Sequence, residues 1–327
     1  MIHNVFPAPD YLEDPHLSRG TKKYLKVLNA SDTPVESLPV DQARDVLINA
    51  QKSVNVDVSG IDESEKMIQV GDQSIKLNIV RPQGISEKLP VFIFIHGGGW
   101  VLGDYPTHKR LVRDLVVESG AAAVFVNYTP SPEAHFPVAI HQIYEATKWV
   151  AANGDEINVD STRLAVVGNS VGGNMTIATS LLAKENNGPE IKLQVLMWPV
   201  TDARCNTVSW KVYGKQRFLT DSLMKWMWDN YTTDELARMD IHASPLQATL
   251  EQLSGLPPTL IEVAENDILR DEGEMLGRKL DEAGVEVTTI RLNGVIHDWG
   301  LLNGFADMFE IRTYITMTAA MIKKYLS

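Results

Sequence analysis

Short strand-like runs, most of them almost wholly apolar, recur at 91–95, 121–126, 163–167, 193–197, 258–264 and 285–292, and all but one lead into a stretch with helical periodicity. Apolar runs of this length read as strands buried on both faces. Parallel neighbours cannot be joined by a tight turn, so each pair needs a crossover, normally a helix. The alternation therefore predicts an α/β protein, with a mainly parallel sheet and helices over both faces. Helices are expected at 111–118, 138–151, 271–283 and 305–325, with another through Met175, Ala178, Leu181 and Leu182. Ahead of the first run, 67–70 and 75–80 flank Gly71-Asp72, a hairpin signal that adds an antiparallel edge.

Two stretches stand outside the alternation. Residues 1–55 carry helix-like segments at 17–28 and 40–54, broken by Pro34 and Pro39. Residues 202–255 contain Trp210, Trp226 and Trp228 and show helical spacing without a strand. Both are expected to lie over the strand ends as a helical cap on a single domain spanning 1–327.

The formal net charge of −12 argues against nonspecific binding to nucleic acid or an anionic membrane. No apolar stretch approaches the ~18 residues of a membrane span. Residues 1–10 have neither the basic nor the apolar region of a secretory leader, so a cytoplasmic protein is expected. The lone cysteine, Cys205, has no partner for a disulfide and reads as a packed thiol. No H-E-x-x-H or clustered Cys/His spacing occurs, so a metal enzyme is not expected, and there is no phosphate-binding loop.

The chemistry centres on Ser170 in Gly168-Asn169-Ser170-Val171-Gly172. A G-x-S-x-G run between a buried strand and a helix is the setting of a nucleophilic serine on a sharp turn. G-x-S-x-G alone also arises by chance, so the remaining parts must be present. A serine hydroxyl needs a base, an acid to orient the base, and donors for an oxyanion. His297, after the last strand, is the candidate base among eight histidines. Asp267, in the loop after 258–264, is the candidate acid, with Asp202 and Glu265 as rivals; the simpler reading of Asp267 is a helix cap. The expected oxyanion donors are the backbone N–H groups of Gly97, Gly98 and Val171, because a glycine run at a strand end allows close approach. His96 reads as structural. Trp100, Val171, Trp198, Phe218 and Trp299 are candidate pocket walls, although each fits plain core packing equally well.

Together, His96-Gly97-Gly98-Gly99-Trp100, the elbow at 168–173 with Asn174, the segment 267–273 and Ile296-His297 resemble the hormone-sensitive-lipase-like group of α/β-hydrolases, also called bacterial esterase family IV. The resemblance runs from about Pro90 to the C-terminus. It implies an eight-stranded, mostly parallel sheet, a helical cap, and carboxylester hydrolysis through an acyl-enzyme without metal or organic cofactor. Carried over by position, Ser170, Asp267 and His297 are the triad, and short- to medium-chain esters, roughly acetyl to hexanoyl, are the substrates. Homodimerisation through 285–292 is a further expectation from the resemblance. The departures are Asn169 where the group usually has an acid, Val171 where it usually has alanine, Tyr128-Thr129-Pro130-Ser131-Pro132-Glu133 where it often has Tyr-Arg-Leu-Ala-Pro-Glu, and Asp298-Trp299 where it often has Gly-Phe. Asp298 is expected to face water rather than act on His297. A non-catalytic binder, or an amidase or acyltransferase using the same residues, is the alternative function.

Overall fold

The computed structural model describes residues 6–31 and 33–327. The first five residues assigned to the cap, and half of the stretch read for a leader, therefore lie outside the described residues. Eight strands form one sheet: β1 (Ile61–Val70), β2 (Gln73–Pro82), β3 (Leu89–Ile95), β4 (Ala122–Asn127), β5 (Val159–Asn169), β6 (Leu193–Met197), β7 (Thr259–Asn266) and β8 (Val287–Ile296). Their order is β1-β2-β4-β3-β5-β6-β7-β8. The β1–β2 hairpin turns at Gly71-Asp72 and joins β4 antiparallel; every other pairing is parallel. No helix among the described residues is long and apolar enough to cross a membrane.

The first two helices are α1 (Arg19–Leu28) and α2 (Val40–Lys52). The crossovers are α3 (Tyr105–Ser119), α4 (Val138–Asn153) and α5 (Val171–Glu185). The insertion holds α6 (Val208–Tyr213), α7 (Asp221–Tyr231), α8 (Glu235–Arg238) and α9 (Leu250–Leu253). The chain closes with α10 (Arg270–Glu282) and α11 (Phe309–Leu326). Helix α3 packs on α11, and α4 packs on α5. Helix α5 is buried on all sides over its first thirteen residues, 171–183. That explains its even apolar and small-residue composition, which lacks a polar stripe.

Three element boundaries differ from expectation for physical reasons. Helix α3 starts at Tyr105, six residues early, because Asp104 and Thr107 form a reciprocal capping box and Pro106 fits the first turn. Strand β8 begins and ends later than 285–292. Val285 still belongs to the turn that ends α10, donating its N–H to the Leu280 carbonyl. The strand then runs on through Gly294, which brings His297 directly to its end. The last helix begins at Phe309, because Asn303–Phe305 forms a separate 3₁₀ turn with Phe305 packed on Tyr24 of α1.

The N-terminal helices are fastened to the strand ends. Ser18 N–H and Thr21 Oγ1 both donate to the Gly294 carbonyl, at 2.9 and 2.8 Å. Gln51 Nε2 bonds the carbonyls of Thr107 and Leu301, at 2.6 and 3.0 Å. A buried ion pair, Arg217 Nη2 to Asp14 Oδ2 at 2.8 Å, joins the N-terminal stretch to the insertion.

Candidate active site

Ser170 stands between β5 and α5 with φ 57° and ψ −120°, a backbone conformation that costs a serine about 1–3 kcal/mol. The turn is held on both sides: Ser170 N–H donates to the Met197 carbonyl at 2.8 Å, and its own carbonyl accepts from Asn174 and Val200. Only glycine fits two residues on. A Cβ on Gly172 would lie 2.0 Å from the Ile95 carbonyl oxygen.

Asp267 and His297 meet this serine from the loops after β7 and β8. His297 Nε2 lies 2.9 Å from Ser170 Oγ, and His297 Nδ1 lies 2.7 Å from Asp267 Oδ2. The other Asp267 oxygen accepts from Leu269 N–H at 3.0 Å. A carboxylate only accepts, so Nδ1 carries the proton and Nε2 is left to take one from the hydroxyl. Burial works against the imidazolium, but the carboxylates of Asp267 and Asp298 outweigh it, and the His297 pKa lies above the ordinary histidine value. The rival acids are engaged elsewhere. Asp202 pairs with Arg204 and Gln247, and Glu265 with His16 and the Gly294 N–H.

The glycine loop corrects one expectation. Gly97 does not present a free donor, because its N–H is given to Asn169 Oδ1 at 3.0 Å. Among the described residues no acceptor takes the N–H of Gly98 or Gly99, and both residues line the cavity with Ser170. Gly98 has φ 104°, and a Cβ there would lie 2.2 Å from the Leu102 carbonyl oxygen. Val171, first in α5, has no intrahelical partner for its N–H. His96 serves the loop: Nδ1 sits 2.8 Å from the Gly97 carbonyl, and the ring stacks on Phe125 and Tyr128. Burial lowers its pKa to about 4, so it stays neutral.

Asp298 corrects another. It does not face water but is 6% exposed, accepting from Trp198 Nε1 at 2.8 Å and Asn169 Nδ2 at 3.3 Å. Its φ of 58° turns the side chain inward beside the imidazole rather than out along the loop.

Of the four aromatic residues proposed as pocket walls, only Phe218 lines the cavity that holds Ser170 and His297. Trp100, Trp198 and Trp299 are fully buried beneath it, as is Val171. Trp100 stacks on Tyr231 and leans on Trp228, while Trp198 and Trp299 meet edge to face. Their size is spent on the core beneath the site. The cavity, of about 60 Å³, is apolar and walled by Leu28, Ala43, Leu47, Leu219 and Met227 besides Phe218. It shares Leu28, Val35, Val46, Phe218 and Leu223 with an outer basin of about 570 Å³. The apolar wall on α2 was within reach of sequence reading, since Ala43, Val46, Leu47 and Ala50 follow helical spacing. Leu219, Leu223 and Met227 of the insertion recur at four-residue spacing too, but nothing in the sequence tells which of its apolar side chains face the cavity.

Cys205 is a free thiol whose Sγ donates to the Ala203 carbonyl; burial pushes its pKa up to about 12. Among the described residues no group of three or more His, Cys, Asp or Glu side chains could hold a metal ion.

Comparison with known proteins follows the same lines. The alpha/beta hydrolase fold family matches residues 92–301. A protein of Acanthamoeba polyphaga mimivirus that bears the name of an alpha/beta hydrolase is 37% identical over 270 residues, covering 83% of this chain and 77% of its own length. The ethyl acetate hydrolase of Pseudomonas putida is 35% identical over 208 residues, 63% of this chain and 65% of that protein. The crystal structure of a thermostable esterase from Pseudomonas putida superposes with a TM-score of 0.95 at 53% identity, over 96% of this chain and 99% of the other.

Proposed function

The chain belongs to the α/β-hydrolase family and is a carboxylesterase of its hormone-sensitive-lipase-like group, and on that premise we propose that Ser170, His297 and Asp267 carry out the hydrolysis through an acyl-enzyme. The observation that carries this reading is the unbroken, buried run of contacts from Asp267 through His297 to Ser170, at 2.7 and 2.9 Å. His297 Nε2 takes the Ser170 proton as Oγ attacks the ester carbonyl, then returns it to the departing alcohol. Asp267 holds the tautomer and stabilises the imidazolium. Water then repeats the sequence on the acyl-enzyme.

Three N–H groups face the developing oxyanion: those of Gly98, Gly99 and Val171. Gly97 is replaced in this role by Gly99, because its own N–H serves Asn169. Residues 6–55 and 202–255 act as the cap, since Leu28, Val35 and Val46 from the first and Phe218 and Leu223 from the second wall the entrance. The inner chamber is small and apolar, so the substrates are esters with short acyl or alkyl groups, the class named by the ethyl acetate hydrolase relative. The acidic balance and single cysteine suit a cytoplasmic enzyme, and the outer edge of β8 over 287–292, short of Gly294 where Ser18 is bound, is the face through which two copies would pair. Gel filtration at micromolar concentration tests the pairing, which a monomer would exclude.

A chain-length series of chromogenic esters tests the main reading. Ser170→Ala should lose turnover by about 10⁴-fold or more while keeping the wild-type melting curve. A fluorophosphonate probe should label wild type and not the variant. Near-normal esterase activity in Ser170→Ala, or labelling elsewhere, refutes the assignment.

A further inference from the structure

Asn169 and Asp298 come from the ends of β5 and β8, and both are buried. One amide bridges two parts of the site. Its Oδ1 accepts the Gly97 N–H at 3.0 Å, and its Nδ2 donates to Asp298 Oδ1 at 3.3 Å. The same Asp298 oxygen accepts Trp198 Nε1 at 2.8 Å and stands 4.0 Å from His297 Nε2, the nitrogen that faces Ser170. A single hydrogen-bonded path therefore runs from the glycine loop to the side of the base.

Resting on the triad reading above, we propose that Asn169 and Asp298 are a matched amide–acid pair of positioning residues, which locks the glycine loop to the base and places one negative charge beside His297 Nε2. The pair works only with one charge. A carboxylate at 169 would face Asp298 at about the present 3.3 Å, and two carboxylates that close cannot both ionise. One would take a proton, and the field at His297 would depend on which. The amide avoids this: it donates to Asp298 and accepts from Gly97 in one fixed orientation, as only Asn can at that length.

Exchanging the two residues keeps one charge but not every contact. In Asn169→Asp with Asp298→Asn the acid at 169 still accepts from Gly97, whereas the single 298 position that takes both Trp198 Nε1 and the 169 amide cannot be at once a donor to the acid and an acceptor for the indole. One hydrogen bond is lost, and the charge moves one residue further from the base. The other ionisable groups around the pair are unchanged. Asp267 and His297 stand at the strand ends, Tyr24 of α1 feels the Asp298 charge, and Glu272 of α10 bears on His297.

The test is the pH profile of kcat/KM for wild type, Asn169→Asp, Asp298→Asn and the double variant, with Ser170→Ala and melting curves alongside. Asn169→Asp should lose about tenfold or more, and adding Asp298→Asn, which removes the second carboxylate but leaves one hydrogen bond unmade, should recover at least about threefold of that loss. Asp298→Asn alone keeps both donors on its oxygen but removes a negative charge that favours the imidazolium. Its acid limb should therefore move to lower pH. Wild-type activity in Asn169→Asp, or a double variant no better than that single variant, overturns the pairing. If Asn169→Asp does not fold, an unmoved acid limb in Asp298→Asn overturns it instead. Activity surviving in Ser170→Ala would sink the triad reading itself, a separate failure.

Discussion

Removing Asp14 should unsettle the enzyme more than any surface acid, because Arg217 depends on it. The guanidinium is 1% exposed and the carboxylate 2%, with Nη2 shared between Asp14 Oδ2 and the Pro9 carbonyl, each at 2.8 Å. Among the described residues Arg217 Nε finds no acceptor, so little else compensates the charge. Breaking one side of a buried pair typically costs about 3–5 kcal/mol, since the other charge is stranded. At about 2.1 cal/mol/K per residue, the unfolding entropy of a chain of 327 residues is about 0.7 kcal/mol/K. Asp14→Ala should then lower the melting temperature by about 4–7 °C. Replacing both partners with apolar residues of similar size, Asp14→Leu with Arg217→Met, should recover most of that loss. Differential scanning calorimetry reads both. The pair also anchors the residue before Phe218, whose φ of 72° is unusual for a bulky side chain. A second readout follows: KM for longer esters should change in Asp14→Ala while kcat for acetyl esters stays close to wild type. A single variant melting within about 1 °C of wild type, or a double variant no more stable than the single, would show that the ion pair does not hold this region.

Phe218→Ala should open the narrow passage between chamber and basin, raising kcat/KM for hexanoyl relative to acetyl esters by about tenfold, as read from chromogenic esters. Gly172→Ala should destabilise by at least about 3 kcal/mol in urea unfolding, since the added carbon meets backbone 2.0 Å away that cannot move aside. As the proposed base, His297 must be neutral to accept the serine proton, and its pKa is raised above the ordinary histidine value; kcat/KM should therefore fall as pH drops, with an acid limb displaced upward from that of a free histidine and no metal dependence in the profile.

The strands and the three side chains that meet at the strand ends were legible because their signals are local. An apolar run such as 193–197 has few alternatives to a buried strand, and a serine between glycines after one is tied to the turn that follows. What stayed hidden depends on backbone angles and on contacts between distant segments. Trp198 follows a strand, as a pocket wall would, but its φ of 38° sends the indole under the site toward Asp298. The glycine run showed where donors would be, yet which of its N–H groups stay free turns on Asn169 capturing Gly97. Asp298 faces inward for the same kind of reason, a φ of 58° that no neighbour in sequence announces. The entrance joins Leu28 and Val46 to Phe218 and Leu223 across well over a hundred residues, so neither half reads as a wall by itself.

That entrance has an evolutionary corollary. The stretches that line it are inserted before and between the strands, whereas the groups that would break the ester bond stand on the strand ends. Substitutions at the entrance can therefore change substrate preference while the groups on the strand ends beneath keep their geometry. A chimera carrying both segments of a relative on this sheet should adopt the donor's taste in esters at this enzyme's intrinsic rate, whereas exchanging one segment alone would leave mismatched halves.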